Sequence, residues 1–266
     1  MKEQIQTELS KLEDQYGIRI LYAVESGSRA WGFASVNSDW DVRFIYVPRH
    51  DWYLSIEENR DSIEQMLPGN LDLSGWELRK ALRLFRKSNP PLNEWLDSSI
   101  IYKEEGSLAA AMRQLNARYF NPRAVIYHYL HMARNNWQAY FKDSEVRIKK
   151  YFYVLRPLMA CRWVERTGQM APVVFDTMLH SGHVPPAVVQ ATEALLVRKM
   201  AGEELSTGGR IPELDAFIEQ EIAYFLQHAG DADVAPRTTN QDLNNLFGKV
   251  LYEAWGPWPP HADETM

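Results

Sequence analysis

Two short motifs contain the side chains of this 266-residue chain that are best suited to chemistry. Gly27-Ser28 follows an apolar run, and after ten further residues Asp39-Trp40-Asp41 begins another apolar run, DVRFIYV. Alternate residues of a strand face the same side, so Asp39 and Asp41 are expected to project together. Neighbouring carboxylates repel each other unless a positive charge lies between them, and a divalent cation is the natural partner.

The residue types of both motifs suit phosphate chemistry. Gly27 has no Cβ and lets a phosphate approach the backbone, while the Ser28 hydroxyl can donate to a phosphate oxygen. Mg²⁺ prefers a few carboxylates together with substrate phosphates. The chemistry indicated is in-line attack on the α-phosphorus of a nucleoside triphosphate (NTP). In the alternative interpretation, Asp39 caps a turn and Asp41 is a solvated strand residue.

This order of motifs resembles the pattern of the DNA polymerase β-like nucleotidyltransferases: a strand, Gly-Ser, a turn, and then Asp-x-Asp on a second strand. Within that superfamily, the chain is similar to the RNA-ligase-associated predicted nucleotidyltransferases, a group linked to RNA repair. This likeness covers most of the first 165 residues, in the stretches GSRAWGF, SDWDVRFIYV, DLSGWELRKALRLFRKSNPPLNEWLDSSIIY and KKYFYVLRPLMACRWV. The resemblance implies an enzyme that transfers a nucleoside monophosphate from an NTP, expected to be ATP, to an acceptor hydroxyl with release of pyrophosphate.

The superfamily also has a third carboxylate, flanked by apolar residues on a later strand. Leu71-Asp72-Leu73 has this form. The resemblance therefore implies that Asp39, Asp41 and Asp72 are both the catalytic residues and the metal ligands, with Mg²⁺ or Mn²⁺ as the cofactor.

Two other acidic residues compete with Asp72 for this role. Glu77 is explained otherwise, because Ser74-Gly75-Trp76-Glu77 fits a capping box at the start of a helix. Glu25 precedes the Gly-Ser turn, where the superfamily pattern has no acid. We therefore prefer Asp72.

Five basic or aromatic residues are candidates for binding the nucleotide. Arg29 and Arg43 could neutralise phosphate charge, or could form ion pairs that orient the aspartates; both interpretations stay open. Lys149, Tyr153 and Arg156 share one helix face, and the second domain of superfamily members often closes over the nucleotide. In the alternative interpretation, Tyr153 packs in the core while both basic side chains reach solvent along their stems.

A basic helix face follows the third carboxylate along the chain. It could hold a triphosphate or an RNA backbone, although a solvated helix surface is the favoured interpretation. Its residues are Arg79, Lys80, Arg83, Arg86 and Lys87.

The apolar spacing predicts an N-terminal part with a sheet. A helix is expected over 2–15 and a further helix from Ser74, with a shorter one after Asn89-Pro90-Pro91. The predicted strands are Ile18–Val24, Asp41–Val47, Ser62–Leu67 and Leu71–Leu73, and the last two form a hairpin around Pro68-Gly69-Asn70.

Helical patterns dominate after residue 107. One helix is expected from Asn121-Pro122 to about Phe141, and another from a cap at Asp143 or Ser144 to Gly168, with Pro157 inside it. Further helices are predicted over 172–181, 186–201, 212–229 and 239–254. The predicted class is α+β: a mixed-sheet nucleotidyltransferase-type catalytic domain (1–115), an all-α domain (116–256) and a disordered tail (257–266).

Composition limits the function further. A net charge of -6 argues against a protein that coats nucleic acid, although a local basic face is compatible with it. Cys161 is the only cysteine, and the N-terminus has no apolar segment typical of a signal peptide. We therefore expect a cytoplasmic protein without a membrane partner.

The sequence leaves the acceptor, the preferred base and the oligomeric state open. Candidate acceptors are an RNA 3′ end, including that of tRNA, a small molecule or a protein side chain. A non-catalytic nucleotide- or RNA-binding module with the same fold is the alternative from another class. The sequence contains neither the Walker P-loop motif nor the glycine motif of dinucleotide-binding folds, so neither of these nucleotide-binding folds is indicated.

Overall fold

The computed structural model describes residues 1–203, 206–232 and 239–258. Its five-stranded sheet has the order β3-β4-β2-β1-β5, in which β2 and β4 are parallel and the other neighbours are antiparallel. The strands are β1 (Ile18–Glu25), β2 (Trp40–Pro48), β3 (Ser62–Leu67), β4 (Leu71–Glu77) and β5 (Ile101–Glu104).

Helices make up most of the remaining structure. Those in the first half are α1 (Lys2–Tyr16), α2 (Gly27–Ala30), α3 (His50–Tyr53), α4 (Leu78–Arg86), α5 (Pro90–Asp97) and α6 (Leu108–Tyr119). Those in the second half are α7 (Pro122–Tyr140), α8 (Ile148–Thr167), α9 (Phe175–Leu179), α10 (Pro186–Met200), α11 (Pro212–His228) and α12 (Gln241–Trp255). The predicted α+β class, with the sheet in the N-terminal part, is confirmed.

The helix predicted at the N-terminus is confirmed as α1. Its residues Ile5, Leu9 and Leu12 are buried in one cluster with side chains of β1, β2 and β4. Gly17 ends the helix in the left-handed conformation, with φ of 61°. The predicted 3.6-residue periodicity therefore places one helix on one face of the sheet.

The helix predicted to begin at Ser74 is wrong, because β4 continues to Glu77. Alternate residues of β4 are buried, as expected for a strand that packs against a core. Gly75 lies under the Phe44 ring, and a Cβ there would approach Phe44 Cε2 to 2.1 Å. Helix α4 begins at Leu78, and Glu77 is its N-cap rather than the last residue of a capping box.

The second half contains one departure from an all-helical domain. Two short strands, β6 (Glu145–Arg147) and β7 (Thr207–Gly209), pair antiparallel. This pairing delays the start of α8 to Ile148, so the cap predicted at Asp143 or Ser144 is wrong. The start of α7 after Asn121 is confirmed, since the Asn121 side chain accepts from the Ala124 N–H.

Helix α12 packs against the N-terminal part, although it follows the helical part along the chain. Its residues Leu243, Leu246 and Val250 share a core with Leu78 and Leu82 of α4. The domain division near residue 115 remains a prediction. From residue 259 onward, the tail expected to be disordered lies outside the described residues. Within the described ranges, we find no helix with the length and apolarity needed to cross a bilayer.

Candidate active site

The turn after β1 brings Gly27 directly against Asp41 of β2. Gly27 has φ of 59°, and a Cβ at this position would lie 2.0 Å from Asp41 Oδ2. A side chain here would therefore be strained in its backbone and would displace the carboxylate. The glycine of the Gly-Ser motif thus sets the position of Asp41.

Arg29 stabilises the segment that leads to the aspartates. Its Nε donates to the Asp39 carbonyl at 3.0 Å, and its Nη2 donates to the Ser38 carbonyl at 2.8 Å. Its guanidinium also lies over the Trp40 ring, 3.7 Å from the centroid. Arg29 therefore shapes the turn before β2 through backbone and ring contacts.

Arg43 connects two of the three aspartates. Its Nη2 lies 3.0 Å from Asp41 Oδ1 and 2.8 Å from Asp72 Oδ2, and its Nη1 donates to the Asp72 carbonyl at 3.1 Å. The parallel register of β2 and β4 explains this bridge, because Asp41 and Asp72 are direct neighbours across the pair. Of the two interpretations of Arg43, the structure displays the ion pair that orients the aspartates.

The surroundings of Asp41 disfavour its negative charge. Burial raises the pKa of the Asp41 carboxyl above its ordinary value; Arg43 lowers it in part, while the charges of Asp72 and Asp39 raise it further. A cation at this position would favour the ionised form of Asp41. The electrostatics therefore suit a cation beside Asp41.

Glu25 is fully buried behind the same aspartate. Its Oε1 accepts from the Asp41 N–H at 2.9 Å, and its Oε2 accepts from the Tyr102 hydroxyl at 2.5 Å. Burial raises the pKa of the Glu25 carboxyl. Glu25 therefore fixes the backbone of Asp41 from inside the sheet, which the sequence pattern did not reveal.

Glu77 lies at the other end of β4 from Asp72. Its Oε1 accepts from the Arg79 N–H at 2.6 Å and from the Tyr53 hydroxyl at 2.5 Å, and its Oε2 accepts from the Lys80 N–H at 3.1 Å. These contacts give Glu77 a structural role and separate it from the aspartates.

A cavity of about 640 Å³ opens beside the aspartates, between the sheet and helices α8 and α10. Of the ten site residues predicted from the sequence, seven line it: Gly27, Ser28, Asp39, Asp41, Arg43, Lys149 and Tyr153. Asp72 is not part of this lining. The cavity is large enough for a small-molecule ligand.

Lys149 and Tyr153 of α8 line the same cavity, but Arg156 does not. Tyr153 is 36% exposed, so it does not pack in the core as the alternative interpretation supposed. Arg156 is buried, forms an ion pair with Glu94 at 3.0 Å, and lies 4.4 Å from the centroid of the Trp31 ring. Arg156 therefore supports a wall of the cavity from behind.

Sequence reasoning missed several residues of the cavity. Lys199 of α10 is buried and donates from Nζ to the Phe33 carbonyl at 3.0 Å. No sequence signal connects a residue so far along the chain to the aspartates. Aromatic, amide and serine side chains complete the lining: Trp31, Phe33, Phe152, Asn37, Asn70, Ser26 and Ser38.

The described residues contain no group of three or more His, Cys, Asp or Glu side chains arranged to hold a metal ion. This agrees with the position of the Arg43 guanidinium between the carboxylates of Asp41 and Asp72. The three-carboxylate metal site implied by the resemblance stays a prediction. Asp39 and Asp41 border the cavity together.

Known proteins are similar to this sequence over nearly its full length. Residues 1–249 match the family described as "RlaP: RNA repair pathway DNA polymerase beta family". The "Uncharacterized protein YcgL" of Bacillus subtilis (strain 168) is 48% identical over 255 residues, which cover 96% of this chain and 98% of that protein.

One solved structure was matched over most of this chain. It is a nucleotidyltransferase-like protein from Exiguobacterium sibiricum 255-15, at 13% identity, with 92% of this chain and 80% of that chain covered. Its TM-score is 0.31, and a superposition this loose says nothing about the site. The family match over residues 1–249, together with a relative that is 48% identical, shows that the chain belongs to the RNA repair pathway DNA polymerase beta family.

Proposed function

We propose that the protein is a metal-dependent nucleotidyltransferase that transfers a nucleoside monophosphate from an NTP to an acceptor hydroxyl. The observation that carries this proposal is the contact between Gly27 and the Asp41 carboxylate at the wall of the 640 Å³ cavity. A glycine at positive φ, a hydroxyl at Ser28 and two carboxylates then face one space. Family membership supports the reaction class.

The residues of this wall fit a hard divalent cation. Asp39 and Asp41 supply oxygen ligands, and Mg²⁺ or Mn²⁺ commonly binds one or two carboxylates and completes its coordination with substrate phosphates and water. Bound there, the cation would stabilise the negative charge that develops on the phosphate oxygens. The raised pKa of Asp41 supports the assignment, since burial and the charges of Asp72 and Asp39 outweigh the effect of Arg43 and leave the ionised carboxylate disfavoured.

The chemistry requires one bond to form and one to break. The acceptor oxygen bonds to the α-phosphorus, and the bond from that phosphorus to the oxygen bridging to the β-phosphate breaks. Pyrophosphate leaves with the bond electrons, and the acceptor hydroxyl loses its proton. Asp72 is the candidate to take that proton, for which Arg43 must release its carboxylate.

Basic residues on the opposite wall would hold the triphosphate. Lys149 and Lys199 border the cavity from α8 and α10, so their ammonium groups can offset charge on the leaving pyrophosphate. Tyr153, next to Lys149, offers a ring that could contact the base. ATP remains our proposed donor, and the family's link to RNA repair supports RNA as the acceptor.

A non-catalytic nucleotide-binding module is the second candidate. The bridge of Arg43 between Asp41 and Asp72 favours it, because this bridge satisfies both carboxylates without a metal. The two candidates differ in one measurable product, pyrophosphate.

Incubation with each of the four labelled NTPs, with Mg²⁺ or Mn²⁺ and a mixture of tRNA and short RNAs, tests the proposal. We expect label to appear in an acceptor together with pyrophosphate release, and both to be absent with Asp41→Asn. Nucleotide binding without pyrophosphate, in every metal and acceptor combination, would establish the binding module instead.

A further inference from the structure

A second cavity, of about 460 Å³, lies between helices α4 and α12, away from the aspartates. We name it the arginine groove. It is lined by Arg79, Arg83 and Arg86 of α4, by the amides Asn240 and Asn244, and by Leu82, Leu243 and Phe247. Glu77 is five positions after Asp72 along β4, which corresponds to about 17 Å, and the lining of the groove begins beyond Glu77.

The arginines of the groove form no ion pair with a carboxylate in the part of the chain that the structure describes. Arg79 lies over the rings of Tyr53 and Phe247, at 4.7 Å and 5.9 Å from their centroids. Arg86 donates from Nη1 to Asn240 Oδ1 at 2.9 Å. Neutral groups therefore hold both guanidiniums, and within residues 1–203, 206–232 and 239–258 no carboxylate pairs with either one.

Arg83 is exposed between them and makes no hydrogen bond or ion pair within those same ranges. Three acidic residues close to the groove are engaged elsewhere: Glu77 caps α4, Asp61 pairs with Lys80, and Asp242 pairs with Arg118. Glu57 and Glu58 line an adjoining cavity that Arg79 and Arg83 also border, and neither forms an ion pair with these arginines in the described residues. The groove is thus a concentrated positive surface on a protein whose net charge is -6.

Arginines elsewhere in the structure show the contrast. Two arginines that pack against the core bind carboxylates: Arg156 binds Glu94, and Arg162 binds Glu221. In the arginine groove, two guanidiniums are fixed in place while their charge stays available. Fixing a guanidinium in advance lowers the entropy lost when it binds an anion.

We propose that the arginine groove binds the phosphodiester backbone of the acceptor, an RNA segment remote from its reacting end. Arg79 and Arg86 are seven residues apart on a helix, about 10 Å along its axis. The charges of one duplex strand recur about every 3.4 Å along the helix axis and lie further apart in an extended single strand, so more than one phosphate can lie along this length of the groove. A lone phosphate would span less of the groove. This inference deepens the proposed function and rests on it for the identity of the acceptor.

Binding of a labelled single-stranded RNA, in the absence of NTP and divalent metal, tests the proposal. The variant is the double substitution R83Q/R86Q, since neither side chain packs in the core. Arg166→Gln is the matched control, because Arg166 is an exposed arginine of α8 outside the groove. Melting temperatures establish that all three proteins are folded.

We expect R83Q/R86Q to weaken RNA binding at least tenfold at low salt. The RNA affinity of Arg166→Gln should equal that of the unsubstituted protein. The slope of log K against log salt should fall by about 1.4, or roughly 0.7 for each lost phosphate contact on a single strand. DNA of the same sequence and tripolyphosphate are the two further arms. Equal losses with RNA and DNA would show that the groove reads the shared backbone, as proposed.

Unchanged RNA affinity and salt slope in folded R83Q/R86Q would overturn the proposal. Tripolyphosphate that binds as tightly as RNA, with the same loss in the variant, would also overturn it in favour of a small-anion site. Failure of the proposed function is distinguishable, because it concerns pyrophosphate release and Asp41, which this binding assay does not involve.

Discussion

Gly27→Ala should inactivate the protein through the position of one carboxylate. The added Cβ would lie 2.0 Å from Asp41 Oδ2, whereas ordinary contact begins at 3.4 Å, so the carboxylate must move by 1.4 Å. Misplacement by about 1 Å can reduce a rate by about 100-fold. We therefore expect pyrophosphate release to fall at least 100-fold, and Mn²⁺ binding to weaken, in a protein that still folds.

The same substitution also strains the backbone, and this effect needs its own control. Alanine at positive φ costs about 1–2 kcal/mol, which corresponds to roughly 2–8 °C in melting temperature for a chain of this size. Gly17→Ala is the matched control: its φ is 61°, against 59° for Gly27, and its Cβ would meet nothing within 4 Å.

Mn²⁺ titration followed by electron paramagnetic resonance, single-turnover transfer and thermal melting should be measured for both variants. We expect similar losses in melting temperature, with the losses in Mn²⁺ affinity and rate confined to Gly27→Ala. The reasoning is refuted if folded Gly27→Ala binds Mn²⁺ and transfers as Gly17→Ala does.

Asp72→Asn should lower the single-turnover transfer rate at least about 100-fold with little change in NTP affinity. Glu77→Gln should lower the free energy of unfolding by about 1–2 kcal/mol and leave the transfer rate unchanged. An active Asp72→Asn beside an inactive Glu77→Gln would show that Asp72 is misassigned. Glu25→Ala should lower the free energy of unfolding by about 1–3 kcal/mol and weaken Mn²⁺ binding, because the Asp41 N–H loses its acceptor. Glu25→Gln should restore stability and Mn²⁺ affinity. Equal Mn²⁺ affinity in the unsubstituted protein and both variants would contradict this. Asp41→Asn should raise the melting temperature of the metal-free protein near pH 8. Because the pKa of Asp41 is raised in the folded protein, its contribution to stability is present below its unfolded pKa and is lost as pH rises through the folded pKa. The gain in melting temperature from Asp41→Asn should therefore vanish near pH 4. Melting scans at pH 8 and pH 4 check this.

The elements that contain the site could be predicted because their patterns are local. Apolar runs bounded by turn residues located β1 to β4, although no pattern indicated the short strand β5. Ser74-Gly75-Trp76-Glu77 misled the prediction because a capping box and an alternating strand share the same residue types. Burial decided between them: Gly75 and Glu77 alternate inward, and Gly75 lies under Phe44.

The contents of the site were less predictable than its elements. Spacing placed Gly27, Asp39 and Asp41 near one another, since a turn and two adjacent strands suffice. The bridge of Arg43 to Asp72 depends on the parallel pairing of β2 with β4, a contact between residues 29 apart. Lys199 reaches the cavity from much later in the chain, through packing that no local pattern encodes.

The position of α12 has a consequence for how the chain acquires its structure. Glu253 accepts hydrogen bonds from Ser107 N–H and Oγ across a separation of 146 residues, and Leu246 enters the core formed by α4. Contacts between such distant residues slow folding, because the entropy of closing a long loop is lost before the contact forms. The N-terminal sheet therefore cannot complete its core during synthesis until nearly the whole sequence has been made, so the first 115 residues on their own should expose apolar surface and aggregate.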